Sequence, residues 1–176
     1  GFSKLFISRN KDLEQNVMWT TGVINIMAAR GEEIKSCYQG YSNCGGVEIL
    51  EAMEKDVPNV AATALELLES QPIAPGEYEC ICTPEVTGMI VHEAFGHGVE
   101  MDMFVKNRAQ AKEFIGQYVA SPLVTMHDGA SAARETGTYF FDDEGTMAKD
   151  TVIIEKGILK RGISDLQSAL SLGTEP

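Results

Sequence analysis

The chain has 176 residues, a length that suits one domain or one and a half. Its hydrophobic fraction of 44% and charged fraction of 23% are ordinary for a globular protein, and no apolar run reaches the length of a membrane span. The net charge of −12 argues against a nucleic-acid binder, which would need a basic face. Because the sequence starts with Gly1 rather than Met, we expect an excised part of a longer protein.

The N-terminal part is predicted to form antiparallel strands. Residues 4–8, 17–29 and 34–41 are rich in the β-branched, aromatic and other apolar residues that suit a pleated sheet. Residues 30–33, which read R-G-E-E, predict a tight turn between the second and third of these strands.

Two helices are predicted next, over residues 48–55 and 59–70, from the helical spacing of their apolar residues. Pro58 separates them, because proline suits the first turn of a helix. A linker rich in proline follows the second helix. It divides the chain into a sheet-and-helix region, residues 1–75, and a second region, residues 76–176.

The second region is predicted to open with a strand over residues 77–83 that leads directly into a helix over residues 84–95. Thr83 is a suitable N-cap and Pro84 a suitable first helical residue. The helix is expected to bury its apolar side chains, which are Val86, Met89, Ile90 and Phe95.

The end of this helix carries two histidines and a glutamate within six residues: His92, Glu93 and His97. In the zinc-peptidase motif H-E-x-x-H the histidines are four residues apart, about 40° around a helix. Here they are five apart, roughly 140° on an ideal helix. Either a π-type bulge absorbs the extra residue, or the helix ends between the histidines, which Gly96 and Gly98 would permit. Without either feature, the two histidines would be ordinary helix residues.

The C-terminal part is predicted to contain short strands and one helix. Strands are expected over residues 123–126 and 137–141, and a hairpin over 151–161 turns at Lys156 and Gly157. Ser164 is expected to cap a short helix over residues 165–172, which Gly173 would close.

Two other groups in the sequence contain residue types that bind metals. His127 follows a predicted strand and is a possible ligand, but a histidine in a turn beside Asp-Gly is more often structural. The acidic run at residues 142–144 lacks the alternating spacing of a calcium loop, so a structural turn is favoured. The cysteines fit no zinc finger, and we expect them to be reduced, as in a cytoplasmic protein.

Three stretches of this sequence resemble the TldD/PmbA family, also called modulator of DNA gyrase. Residues 92–102 read H-E-A-F-G-H-G-V-E-M-D, residues 142–146 read D-D-E-G-T, and residues 154–160 read I-E-K-G-I-L-K. The resemblance extends from about residue 76 to residue 170, and the three stretches occur in the family's order. Together with the predicted elements, it favours an α+β fold: an antiparallel sheet with long helices, followed by a mixed unit that carries the H-E-x-x-x-H helix.

The resemblance implies a cytoplasmic zinc peptidase that acts on peptides or unfolded protein segments. His92 and His97 would bind the zinc, and Glu93 would be the general base. Glu100 or Asp102 would accept a hydrogen bond from the other ring nitrogen of a ligand histidine.

A catalytic zinc usually has three protein ligands, and this sequence supplies two strong ones. In the family that it resembles, the third is a cysteine nearer the C terminus, so we expect the isolated chain to hold zinc weakly or not at all. The resemblance also implies a homodimer, or a heterodimer with a partner that lacks the motif. The main alternative is a non-catalytic peptide-binding or scaffold domain of the same fold, and a weaker one is a metal hydrolase that is not a peptidase.

Overall fold

The computed structural model describes all 176 residues, and they form two compact units. The first unit comprises Gly1–Glu77 with Ala133–Tyr139, and the second comprises Tyr78–Ala132 with Phe140–Pro176. Both units combine helices with antiparallel strands, which confirms the predicted α+β class. No helix is long and apolar enough to cross a membrane.

The first unit contains two separate antiparallel hairpins. Strand β1 (Phe2–Ile7) pairs with β2 (Asp12–Val17), and β3 (Trp19–Arg30) pairs with β4 (Glu33–Cys44). The predicted strand over residues 17–29 joins parts of two strands, because β2 ends at Val17 and β3 begins at Trp19. Strand β2 was missed because its sequence, D-L-E-Q-N-V, is mostly polar. The predicted turn after Arg30 is confirmed by the start of β4 at Glu33.

One long helix, α1 (Met53–Leu67), packs against the β3–β4 hairpin. Its core contact joins Ala28 of β3 to Ala64 and Leu68 at the end of the helix. The prediction of two helices separated by Pro58 is wrong, because Pro58 lies inside α1. Pro58 is the sixth residue of α1, where it removes one backbone hydrogen bond and crowds the carbonyl four residues earlier, and the packing of α1 on the hairpin offsets that cost.

The second unit is built from short elements around a three-stranded antiparallel sheet with the strand order β5–β6–β7. In chain order its regular elements are α2 (Pro84–Val91), α3 (Met101–Val105), β5 (Met126–Asp128), β6 (Thr151–Glu155), β7 (Ile158–Leu159) and α4 (Leu166–Leu172). The hairpin turn at Lys156 and Gly157 is confirmed, and both residues have positive φ angles, of 46° and 85°.

Two predictions for the start of this unit are wrong. Residues 77–83 form no strand, because a strand needs a paired neighbour and no sheet of this chain includes them. The apolar face of α2 is exposed, with Val86 at 50%, Met89 at 69% and Ile90 at 52% of full exposure. The spacing of apolar residues predicted the helix correctly, but it does not reveal whether another element covers its face.

The core of the second unit reaches the end of the histidine motif. Val99, two residues after His97, is fully buried with Ile153 and Leu159, and Phe95 packs against the same cluster. Hydrophobic packing on both sides of His97 therefore fixes the backbone that carries it.

Two turns in this unit follow their local side-chain chemistry. The Asp142 carboxylate accepts hydrogen bonds from the backbone N–H groups of Glu144 and Thr146, which supports the predicted structural turn. Helix α4 is capped by Asp165, not by Ser164 as predicted, because the Asp165 carboxylate accepts the Ser168 N–H at 2.7 Å.

Candidate metal centre

The five-residue spacing of the histidines is accommodated by a π-helical turn over His92–Gly96, directly after α2. The His97 N–H donates to the His92 carbonyl oxygen, five residues earlier, which is the hydrogen bond that defines a π turn. A 3₁₀ turn, His97–Val99, then ends the helical segment. Of the two routes open from the sequence, the structure shows a π turn with the helix ending just after it.

This turn brings the two imidazoles to one side, as the sequence predicted. The ring centroids of His92 and His97 are 4.7 Å apart, with the ring planes at 74°. One ligand atom from each of His92, Glu93 and His97 lies within 4.8 Å of the other two, and all three residues are exposed. Imidazole nitrogens and carboxylate oxygens are among the ligands that zinc takes in proteins. The donor set therefore fits zinc.

Glu100 fixes the orientation of the His97 ring. Its Oε1 lies 2.8 Å from His97 Nδ1, so the carboxylate accepts the Nδ1–H proton. In the neutral ring, Nε2 is then the nitrogen with the free lone pair, and it lies 3.9 Å from Glu93 Oε2. Glu100 thus selects the tautomer in which Nε2 can bind a metal beside the Glu93 carboxylate.

Asp102 does not take part in this group. It lies on α3, and its carboxylate accepts a hydrogen bond from Lys106 Nζ at 2.7 Å. His127 is also outside the group of His92, Glu93 and His97. Its Nδ1 lies 2.7 Å from Asp150 Oδ1. The sequence had thus proposed two carboxylates beside the histidines, and only Glu100 is placed there.

A cavity of about 790 Å³ adjoins the two histidines, and most of its wall is apolar. Its ionisable wall residues are His92, His97, Glu100, His127 and Asp128. Asp128 ends β5 and is half-buried. Burial raises the pKa of its carboxyl group, and the charge of His92 opposes that rise. Sequence reasoning missed Asp128, because its only signal was a Gly after it, which suggested a plain turn.

A second cavity, of about 680 Å³, also borders His97. Phe95, His97 and Val119 line both cavities. Most of the remaining wall is apolar and includes Met103 and Phe114, and Arg108 adds one positive charge. His97 therefore borders two cavities, each large enough for side chains of a bound ligand.

The α+β fold and the His-Glu-His group, whose donors suit zinc, are the features by which this chain compares with metal-binding proteins. The family model for the PmbA/TldA metallopeptidase C-terminal domain matches residues 75–176, more than half of the chain. The chain belongs to the TldD/PmbA family of metallopeptidases.

Curated relatives carry matching names. A metalloprotease of Methanothermobacter thermautotrophicus is 32% identical over 155 residues, which is 87% of this chain and 34% of that protein. A zinc metalloprotease TldD homolog of Saccharolobus solfataricus is 32% identical over 136 residues, 73% of this chain and 27% of that protein. The chain thus spans about a third of the length of such relatives.

Solved structures share the fold. A crystal structure from Bacteroides thetaiotaomicron, named as a modulator of DNA gyrase, superposes with a TM-score of 0.72 at 20% identity. It covers 97% of this chain and 39% of that one. TldE from Thermococcus kodakarensis has a TM-score of 0.71 at 17% identity, over 93% of this chain and 37% of that one.

Proposed function

We propose that this chain carries the zinc-binding histidines and the general base of a peptidase that hydrolyses peptides or unfolded protein segments. The observation that carries the proposal is the π turn, which brings the ring nitrogens of His92 and His97 and the Glu93 carboxylate within 4.8 Å of one another. The family's third ligand, a cysteine, would come from a part of the longer protein that is outside this chain.

Within such a site each residue has a distinct task. A zinc ion held by His92 and His97 would polarise the scissile carbonyl and make a water molecule more acidic. Glu93 would accept a proton from the attacking water on a carboxylate oxygen and pass it to the leaving amine as the C–N bond breaks. Glu100 keeps the Nδ1–H of His97 in place, so that Nε2 stays available as a ligand.

The two cavities support a peptide as the substrate. Both border His97, and they share Phe95 and Val119 as wall residues. An extended peptide whose scissile bond lies at the motif would place one side chain in each hollow. Their largely apolar walls favour apolar side chains at these two positions.

The chemical role of Glu93 is tested with Glu93→Gln in the full-length protein. We expect zinc to be retained and peptide hydrolysis to fall by about 10²–10⁴-fold, because the amide keeps the shape but cannot accept the proton. Zinc content by mass spectrometry and turnover of a quenched fluorescent peptide are the measurements. Glu66→Gln, the same change on α1, is the matched control and should leave both unchanged. Full turnover in Glu93→Gln would exclude Glu93 as the base.

We further propose a reducing, cytoplasmic location and a twofold assembly, either a homodimer or a heterodimer with a partner that lacks the motif. The location is supported by Cys80 and Cys82, which are exposed free thiols. The assembly is supported by the family alone. Sedimentation of the full-length protein, with and without such a partner, would test it.

A non-catalytic role in peptide binding has one observation in its favour. Strands β3 and β4 pair only with each other, so each has an outer edge that could accept a further strand. Their outer face also exposes apolar side chains, among them Met27 at 74% and Tyr38 at 76%. Peptide binding that survives a zinc chelator and the Glu93→Gln change, with no hydrolysis by the wild type, would favour this role.

A further inference from the structure

We propose that Asp128 is the positioning residue for His92, as Glu100 is for His97: it accepts the N–H of the His92 ring nitrogen that does not bind the metal. This inference rests on the proposed zinc site. It assigns a role to a residue outside the motif, 36 positions further along the chain.

The first argument comes from the pairing of charged groups in the cavity wall. The wall contains three imidazoles, those of His92, His97 and His127, and no lysine or arginine. His97 is paired with Glu100, and His127 is paired with Asp150. The remaining carboxylate of the wall is Asp128, and the remaining imidazole is His92.

The second argument comes from the shared cavity wall. Met126, His127 and Asp128 of β5 all line the cavity that His92 borders, although the pairing of β5 with β6 is irregular between Met126 and His127. Met126 packs against the core cluster that also contacts Phe95 of the π turn. Asp128 and His92 therefore border the same space, and the charge of His92 acts on the Asp128 carboxyl group.

The third argument is energetic. A half-buried carboxylate in a largely apolar cavity is costly unless it has a partner. No direct hydrogen bond joins Asp128 to His92 in this structure. The proposed contact is the one that the ring makes when its other nitrogen binds a metal, and metal-bound histidines nearly always donate the second N–H to an acceptor.

Zinc affinity in the full-length protein tests this inference. Asp128→Asn should raise the zinc Kd by about 10–100-fold, measured by competition with a chromophoric chelator, and Asp128→Glu should restore part of the loss. Asp150→Asn is the matched control, because it makes the same change beside His127 in the same cavity wall. It should leave the zinc Kd unchanged.

Cobalt provides a readout that a general loss of stability would not reproduce. The visible absorption of the Co²⁺-substituted protein should shift in Asp128→Asn and stay as in the wild type in Asp150→Asn. Equal zinc affinities and equal cobalt spectra for Asp128→Asn and the wild type would overturn the inference and leave the zinc site standing. A full-length wild type that binds no zinc would instead overturn the proposed function, and the inference with it.

Discussion

In the first unit, long regular elements determine where side chains lie: two paired strands of 12 residues each and a helix of 15 residues. In the second unit no strand exceeds five residues, and the motif stands on a π turn that continues into a 3₁₀ turn. The helix of the first unit buries Ala64 against a strand. The irregular helix of the second unit presents His92 and His97 to solvent.

The difference shows how each unit depends on its packing. In the first unit, the buried residues join the hairpin to the helix, and none of them is near the histidine motif in sequence. In the second unit, the buried Val99 and the partly buried Phe95 lie within two positions of His97. Loss of packing should therefore reduce stability in either unit, but it should reduce metal binding only in the second.

The largest expected effect comes from a pair of core truncations, Leu159→Ala in the second unit and Leu68→Ala in the first. Each should lower the free energy of unfolding by about 2–5 kcal/mol, because both side chains are buried in a core cluster. Only Leu159→Ala should also weaken zinc binding. Denaturant titration and chelator competition measure the two effects. A similar loss of zinc affinity in both variants would contradict the distinction between the units.

A smaller effect is expected from Gly162→Ala. The new Cβ would lie 2.3 Å from the Val99 carbonyl oxygen and 2.6 Å from Met101 Cγ. Residues 99–101 would have to move, although Met101 N and Ile163 O are joined there by a hydrogen bond of 2.8 Å. Overpacking of this kind costs about 1–3 kcal/mol, and the movement should also displace Glu100.

Thermal unfolding and zinc affinity of Gly162→Ala test this expectation. Gly40→Ala is the control from the first unit, since a Cβ there meets no atom within 4 Å. We expect it to change neither measurement appreciably. A Gly162→Ala protein with the stability and zinc affinity of the wild type would show that the backbone beside Glu100 is not under packing constraint.

Much of this organisation follows from sequence, and the exceptions have physical causes. The turn at Lys156 and Gly157 was predictable because few residue pairs tolerate two positive φ angles. The convergence of His92 and His97 was predictable as an alternative, because five-residue spacing requires an irregular turn. In contrast, Asp128 lines the cavity beside His92 only because β5 lies next to the motif, and the spacing of residues along the chain does not predict which strand lies there.

Other errors also concern what lies next to an element. The apolar residues of α2 have the spacing of a buried helix face, and spacing alone cannot show that this face is exposed. Pro58 was read as a helix boundary, although tertiary packing of α1 on the hairpin outweighs one missing hydrogen bond. In both cases the outcome depends on whether a segment remote in sequence packs against the helix, as the hairpin does on α1 and as nothing in this chain does on the face of α2.

The smallest expected effect is at the cap of α4, where Asp165 was observed and Ser164 was predicted. Asp165→Ala should cost about 1 kcal/mol near neutral pH, because it removes the acceptor for the Ser168 N–H. Ser164→Ala should cost less, since its hydroxyl instead donates to the Glu175 carbonyl oxygen, outside the helix.

The hydrogen bonds from Ser168 hold the pKa of Asp165 below its usual value. A lowered pKa in the folded state stabilises the protein above the unfolded-state pKa of about 3.9, and that contribution is lost as the pH falls through the folded-state pKa. Asp165→Asn keeps an acceptor at the cap but cannot ionise, so its stability relative to the wild type should improve as the solution is acidified below about pH 4. Urea titrations of the three variants from pH 7 to pH 3 provide the comparison. An Asp165→Asn variant whose stability tracks that of the wild type at every pH would show that the cap does not depend on the charge of Asp165.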